Sequence, residues 1–293
     1  MKETVRPLLV FAVAGLYVVM TSFVPHSTAA ADAILGMLLL AGLAVIGIPH
    51  GALDVWTYQH RTKNSFSSLG YIVGYLIAIG LVFAFWMVFP VAGLTLFLVL
   101  SAWHFGQADF VLWGLHKGGW AWGTLALSLI LVWHMEEALE IVSHMGVEPG
   151  TRNLISSFIP ALQWTAITGW FIAAARAIYL RKAPWLWTLG MLAFTPWIPL
   201  LLAFGMYFVG QHSFAGWSHL QHEMNLRSMD LWRKAFPFTV GAWLLIAGGI
   251  WFLTSGKSSD LHATSGAFFM LLGSISIPHI FESHWLLRND AGR

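Results

Sequence analysis

Ten apolar stretches account for most of the chain, and a water-soluble fold has no way to hide that many. They run Pro7 to Val24, Ala33 to Thr57, Leu69 to Phe89, Val91 to Trp113, Gly119 to His134, Leu154 to Leu180, Pro184 to Trp197, Pro199 to His222, Ala235 to Leu253 and Ala263 to Leu287. A bilayer core of roughly 30 Å takes about 20 residues at about 1.5 Å of helical rise each. The stretches therefore predict an all-α, polytopic membrane protein. The fifth and seventh are short, so the expected count is eight to ten transmembrane helices. Only 10% of residues are charged and the mean hydropathy is +0.71, whereas soluble domains carry about a quarter charged residues. A soluble enzyme, a disordered tail and a nucleic-acid module are thereby excluded. The first stretch lacks a small-residue cleavage site and reads as a retained helix. No repeat or low-complexity run interrupts the pattern, so residues 1–293 read as one transmembrane domain.

The basic residues orient the map. With a cytoplasmic N-terminus, the inner side holds Lys2, Arg6, Arg61, Lys63, Lys117, Arg176, Arg181, Lys182, Arg227, Arg233, Lys234, Arg288 and Arg293, leaving only Arg152 and Lys257 outside. That asymmetry follows the positive-inside rule and predicts an even number of crossings, with both termini cytoplasmic. The acidic segment with Glu136, Glu137, Glu140 and Glu148 is expected outside, carrying a short surface helix. The tight connection at Pro90 predicts a helical hairpin from stretches three and four.

Thirteen histidines nearly equal the 15 lysines and arginines in a chain that otherwise avoids polar groups. Seven (His26, His60, His116, His134, His144, His222 and His262) fall in loops or at helix ends, where a solvated or interfacial imidazole is ordinary. A polar side chain deep inside a membrane segment is costly and usually functional. Counted from the outer end of their segments, His50, His104, His212 and His279 lie roughly 20–26 Å down each helix. All four sit on even-numbered segments and so share one slab in the inner half of the membrane. Imidazole suits Fe, Zn and Cu, and four brought to one depth form a plausible divalent-metal shell. The competing reading is four separate histidines bonded across helix interfaces. Small neighbours (Gly51, Ala52, Gly106, Ala215 and Gly216) let helices approach closely enough to share an ion. Asp54, Asp109 and Glu282 follow these histidines at three to five residues and are expected to orient ligating imidazoles. His219, two turns after His212, is about 10 Å along the same helix face. With no cysteine in the chain, thiolate sites and disulfides are excluded.

At these residues the sequence resembles a known family. Ile48-Pro49-His50-Gly51-Ala52-Leu53-Asp54, His104-Phe105-Gly106-Gln107-Ala108-Asp109, Tyr207-Phe208 leading to His212-Ser213, and Ile277-Pro278-His279 occur in the order and spacing of the Brp/Blh family. These are bacterial and archaeal membrane-integral beta-carotene 15,15'-dioxygenases. The resemblance implies an integral protein of the inner membrane that cleaves the central double bond of beta-carotene with O2 at a non-haem Fe(II), giving two retinal molecules. It implies His50, His104 and His212 as three iron ligands. The family's fourth, the second His of a His-Ser-x-x-His pattern, falls on Gly216. His219 is the nearest substitute on that helix, and His279 is the alternative favoured by depth. The family also tends to carry an Asp where this chain has His284. A retinal-binding rhodopsin is the implied consumer of the product.

The leading expectation is thus a carotenoid-cleaving dioxygenase whose substrate arrives laterally from lipid. Seventeen Trp and 21 Phe suit interfacial belts and an apolar ligand site, and Trp103, Phe105, Trp133, Phe214 and Trp217 are expected to wall a tunnel that excludes water. Two alternatives stay open. One is a bis-His haem electron carrier using pairs such as His50 and His104. The other is a metal-free carotenoid or retinal binder.

Overall fold

Helices are forced on a chain whose apolar runs lack a partner for backbone polar groups in lipid, and the computed structural model shows eleven of them among the described residues. It describes residues 39–62, 68–147, 149–255 and 261–290, together with Gly15, Tyr17 and Met37. In chain order these are α1 (Leu39–Thr62), α2 (Ser68–Val88), α3 (Pro90–Leu112), α4 (Gly119–Leu131), α5 (Met135–Ser143), α6 (Pro149–Tyr179) and α7 (Ala183–Leu192). Then follow α8 (Leu200–Tyr207), α9 (Phe214–Glu223), α10 (Ser228–Thr254) and α11 (Leu261–Asp290). The described residues contain no strand.

Six of these helices (α1, α2, α3, α6, α10 and α11) are long and apolar enough to cross a membrane. They correspond to stretches two, three, four, six, nine and ten. Stretches five and seven become α4, with 13 residues, and α7, with 10, both shorter than a full crossing. Stretch eight is divided into α8 and α9 by a π-helical segment, Phe208–Ser213. The acidic segment forms α5, as expected. Apart from Gly15 and Tyr17, which are helical, the helix expected over Pro7 to Val24 lies outside the described residues, as do Glu148 and both chain termini.

Burial separates an inner from an outer layer. Between 44% and 56% of the membrane-crossing windows of α1, α3 and α11 is buried, against 11% for α2, α6 and α10. The outer helices are apolar all round and expose side chains such as Leu81, Phe171 and Leu244, the pattern of lipid-facing helices.

The closest helix seam is between α3 and α4. Ala102 and Gly106 of α3 face Gly119 and Gly123 of α4, so that a Cβ at Gly106 would collide with the Gly119 carbonyl and one at Gly123 with the Ala102 carbonyl. Small residues four apart on both helices allow this backbone approach, a packing mode suited to lipid, where apolar side chains gain little from meeting each other. The link between the two helices turns through Gly114 and Gly118 at φ 67° and 99°, values that a side chain disfavours. Lys182 donates to the Trp113 carbonyl (2.6 Å) at the end of α3, where the helix dipole favours a cation. Between α2 and α3 only Phe89 leaves the helical conformation, which gives the expected hairpin at Pro90.

Candidate metal centre

Two local departures from α-helix set up the centre. In α1, residues Leu43–Gly47 wind as a π-helix immediately before Pro49 and His50. Pro49 has no N–H for the Val45 carbonyl, which instead accepts from the Trp232 indole at 3.1 Å. The second π segment, Phe208–Ser213, carries His212. The two segments pack against each other, and Gly42 lies against Val209. π-Bulges of this kind recur at functional sites because an extra residue in the turn re-aims a side chain.

His50, His104, His212 and His279, from four different helical segments, meet as a closed ring of imidazoles. Centroids lie 5.5 Å apart for His50–His212, 4.7 Å for His104–His212, 5.3 Å for His104–His279 and 4.9 Å for His50–His279, each pair near perpendicular. Nitrogens of His50, His212 and His279 all fall within 4.8 Å of one another, close enough to hold one metal ion. Gly51 and Gly216 back onto the ring: a Cβ at Gly51 would lie 3.4 Å from the His279 ring and one at Gly216 3.5 Å from His50 Cδ2, both ordinary contact distances.

The hydrogen bonds define which nitrogens face inward. His50 donates from Nδ1 to the Gly47 carbonyl at 2.6 Å, so its Nε2 keeps a lone pair. His279 donates from Nδ1 to both oxygens of Asp54, at 2.9 and 3.1 Å, which makes Nε2 the lone-pair nitrogen of the neutral ring. His50 Nε2, His104 Nε2, His212 Nδ1 and His279 Nε2 are all buried without a hydrogen-bond partner. Buried polar atoms are normally paired. Three of these residues, His50, His212 and His279, present nitrogens close enough to share one ion, while His104 joins the ring through its contacts with His212 and His279. Imidazole suits a borderline divalent ion, and Asp54 supplies the carboxylate that commonly orients such a ligand.

Against this geometry the comparisons with known proteins are direct. The family described as beta-carotene 15,15'-dioxygenase matches residues 41–287, which include every residue of the imidazole ring. The chain belongs to the beta-carotene 15,15'-dioxygenase family. A beta-carotene 15,15'-dioxygenase from uncultured marine bacterium 66A03 is 26% identical over 270 residues, covering 87% of this chain and 94% of that one. No solved structure matches.

The remaining expected residues of this family member are placed as follows. His219 is not one of the four ring-forming imidazoles, but with all four it lines a small cavity of about 40 Å³ that also touches Gly216. Asp54 orients His279, 225 residues away, rather than its own-helix neighbour His50. Asp109 hydrogen-bonds to none of the four ring imidazoles. It accepts instead from Trp122 Nε1 (2.8 Å), the Tyr207 hydroxyl (2.8 Å) and Gln211 Nε2 (3.2 Å), tying α3 and α4 to the second π segment. Glu282 pairs with Arg61 (3.1 Å) and accepts from Thr57 (3.4 Å) rather than from His279. His284 donates from Nδ1 to Gln107 (2.8 Å).

Above the ring lies a cavity of about 290 Å³ with mostly apolar walls. Of the five aromatic residues expected to line a tunnel, Phe105 does, and its ring also lies 4.6 Å from that of His212. Trp103 sits instead beside His284, at 4.6 Å between centroids. Trp217 is buried in a separate apolar cluster and donates to Ser228, Trp133 packs on the main core, and Phe214 does not line the cavity. The walls that sequence reasoning missed are Phe97, Phe204 and Phe208, with Tyr75 near the imidazoles. Tyr207-Phe208 stood in a recognised motif, but no sequence signal aims Phe97 or Phe204 at this space.

Proposed function

We propose that this family member is an iron-dependent dioxygenase that splits beta-carotene at its central double bond. The observation that carries the reading is the ring of four imidazoles, each with an unpaired buried nitrogen, lining an apolar cavity. His50, His104, His212 and His279 would hold the ion, with His279 in the place that Gly216 cannot fill. When bound, Fe(II) supplies the centre at which O2 is reduced. The reaction balances as one beta-carotene plus one O2 giving two retinal molecules, one oxygen atom ending on each half.

The chain's own residues supply position and environment. Gly47 and Asp54 fix the tautomers of His50 and His279 so that Nε2 of each faces inward. Tyr75 donates to Asp54 at 2.8 Å and holds that carboxylate in place. Phe105 and Phe208 lie beside the imidazoles, and Phe97 and Phe204 add apolar surface to the same cavity. They exclude water and confine a polyene so that one bond is presented to the centre, which lowers the entropic part of the barrier. A haem sandwiched between His50 and His104 fits this arrangement poorly, because both rings touch His212 and His279, which a macrocycle would have to displace.

The test is expression in beta-carotene-accumulating bacteria, with retinal measured by chromatography and iron measured in the purified protein. Retinal from the wild type, and neither retinal nor iron in His50→Ala, His104→Ala or His212→Ala at equal protein level, is the expected result. Iron-replete protein that leaves beta-carotene intact refutes the reading.

A further inference from the structure

The cavity lined by the four imidazoles also reaches exposed residues of the outer helices α2 and α10. Helices α2 and α10 both pack against α11, and the cavity wall includes residues from all three. The wall includes Ile72 and Leu76 of α2, Pro237, Phe238 and Gly241 of α10, and Ser276 of α11. Leu76 is 54% exposed, Gly241 is exposed, and a Cβ built at Gly241 meets nothing within 4 Å. None of these six residues carries a charge. Proline lacks the N–H that would continue the helical ladder and its ring crowds the preceding turn; Pro237 stands inside α10, one turn before Gly241.

We propose that this gap between α2 and α10 is the lateral port through which a long apolar polyene passes from the bilayer to the imidazole ring, with Gly241 as its sill. The proposal rests on the dioxygenase reading for the identity of the ligand and deepens it by naming the route. An uncharged mouth opening among lipid-facing helices selects for a ligand that is itself dissolved in lipid. A water-soluble substrate would have to cross an apolar rim that gives its polar groups no partner. The missing side chain at Gly241 leaves the mouth open where any larger residue on that helix face would narrow it.

The experiment compares Gly241→Trp with Gly248→Trp. Gly248 lies two turns further along α10, is also exposed, also has nothing within 4 Å of a built Cβ, and does not line the cavity. Both variants replace an exposed helical glycine with a better helix former, so folding is preserved in each and is checked by thermal unfolding. Beta-carotene binding to purified protein stripped of metal is read from the induced circular dichroism of the polyene band, independently of catalysis. Gly241→Trp should slow the rise of that signal at least about tenfold, the scale of steric rejection in apolar sites, and Gly248→Trp should bind as fast as the wild type. Equal binding rates for Gly241→Trp and wild type, equal slowing in both variants, or no binding by the wild type overturns the port. A wild type that binds beta-carotene but yields no retinal when iron is restored refutes the dioxygenase reading and leaves the port standing.

Discussion

Removing the charge of Asp54 isolates the orientation of one imidazole without touching the ring itself. Two donors converge on this carboxylate: His279 Nδ1 at 2.9 and 3.1 Å and the Tyr75 hydroxyl at 2.8 Å. Asp54→Asn keeps the shape but replaces one acceptor oxygen with an NH2 group, which must point at one of those donors. A hydrogen bond to a charged partner contributes about 1.5–3 kcal/mol and a neutral one about 0.5–1.5. The difference, roughly 1.4 kcal/mol, corresponds to about tenfold in metal affinity. Asp54→Ala strands both donors and should reach about 100-fold, the upper range for removing an outer partner of a ligating imidazole. Tyr75→Phe should cost much less, because the His279 bond survives. The assay is competition for iron between purified protein and a soluble chelator, with thermal unfolding as the check on folding. A folded Asp54→Asn protein that holds iron as tightly as wild type would refute the view that Asp54 tunes a metal ligand.

The fourth ligand is decided by paired substitutions: His279→Ala should lose iron and His219→Ala should retain most of it, both read by elemental analysis, and the reverse result would move the centre towards the Gly216 side. At the α3–α4 seam, Gly123→Val should destabilise the protein by about 1–3 kcal/mol or more through overpacking, lowering its thermal midpoint in detergent, while Gly74→Val, at a position with nothing within 4 Å, should not. Asp109→Leu leaves Trp122, Tyr207 and Gln211 without their shared acceptor, each stranded donor costing about 1–3 kcal/mol; stability should fall, whereas unchanged unfolding would show that the network is dispensable. Reporter fusions should place both termini in the cytoplasm, and an external C-terminus would contradict the distribution of basic residues.

The sequence discloses the long helices because an apolar run leaves a plain composition signal, and counting helical rise puts His50, His104, His212 and His279 at one level, where their rings meet. It does not disclose that α4 and α7 stop short, since an apolar run has the same composition whether it spans or is covered by neighbours. Nor does a run of letters mark Leu43–Gly47 and Phe208–Ser213 as π-helical, because that shift lies in the hydrogen-bond register. The carboxylates show the same limit. Asp54 was legible as a partner for an imidazole, but which one depended on the packing of α1 against α11. Spacing along a helix suggested that Asp109 and Glu282 would serve nearby histidines, yet Trp122, Tyr207 and Gln211 claim the first and Arg61 the second. Cavity walls such as Phe97 and Phe204 are set by tertiary packing, and only Phe105, beside a motif histidine, could be read in advance.

The central claim is tested most directly by product stoichiometry with purified, iron-loaded protein in detergent, following beta-carotene, O2 and aldehyde products together. The account predicts two retinal molecules formed and one O2 consumed for each beta-carotene lost, with turnover abolished in His104→Ala. Aldehydes of unequal chain length would contradict central cleavage, and full iron occupancy with no loss of beta-carotene would contradict the enzyme itself.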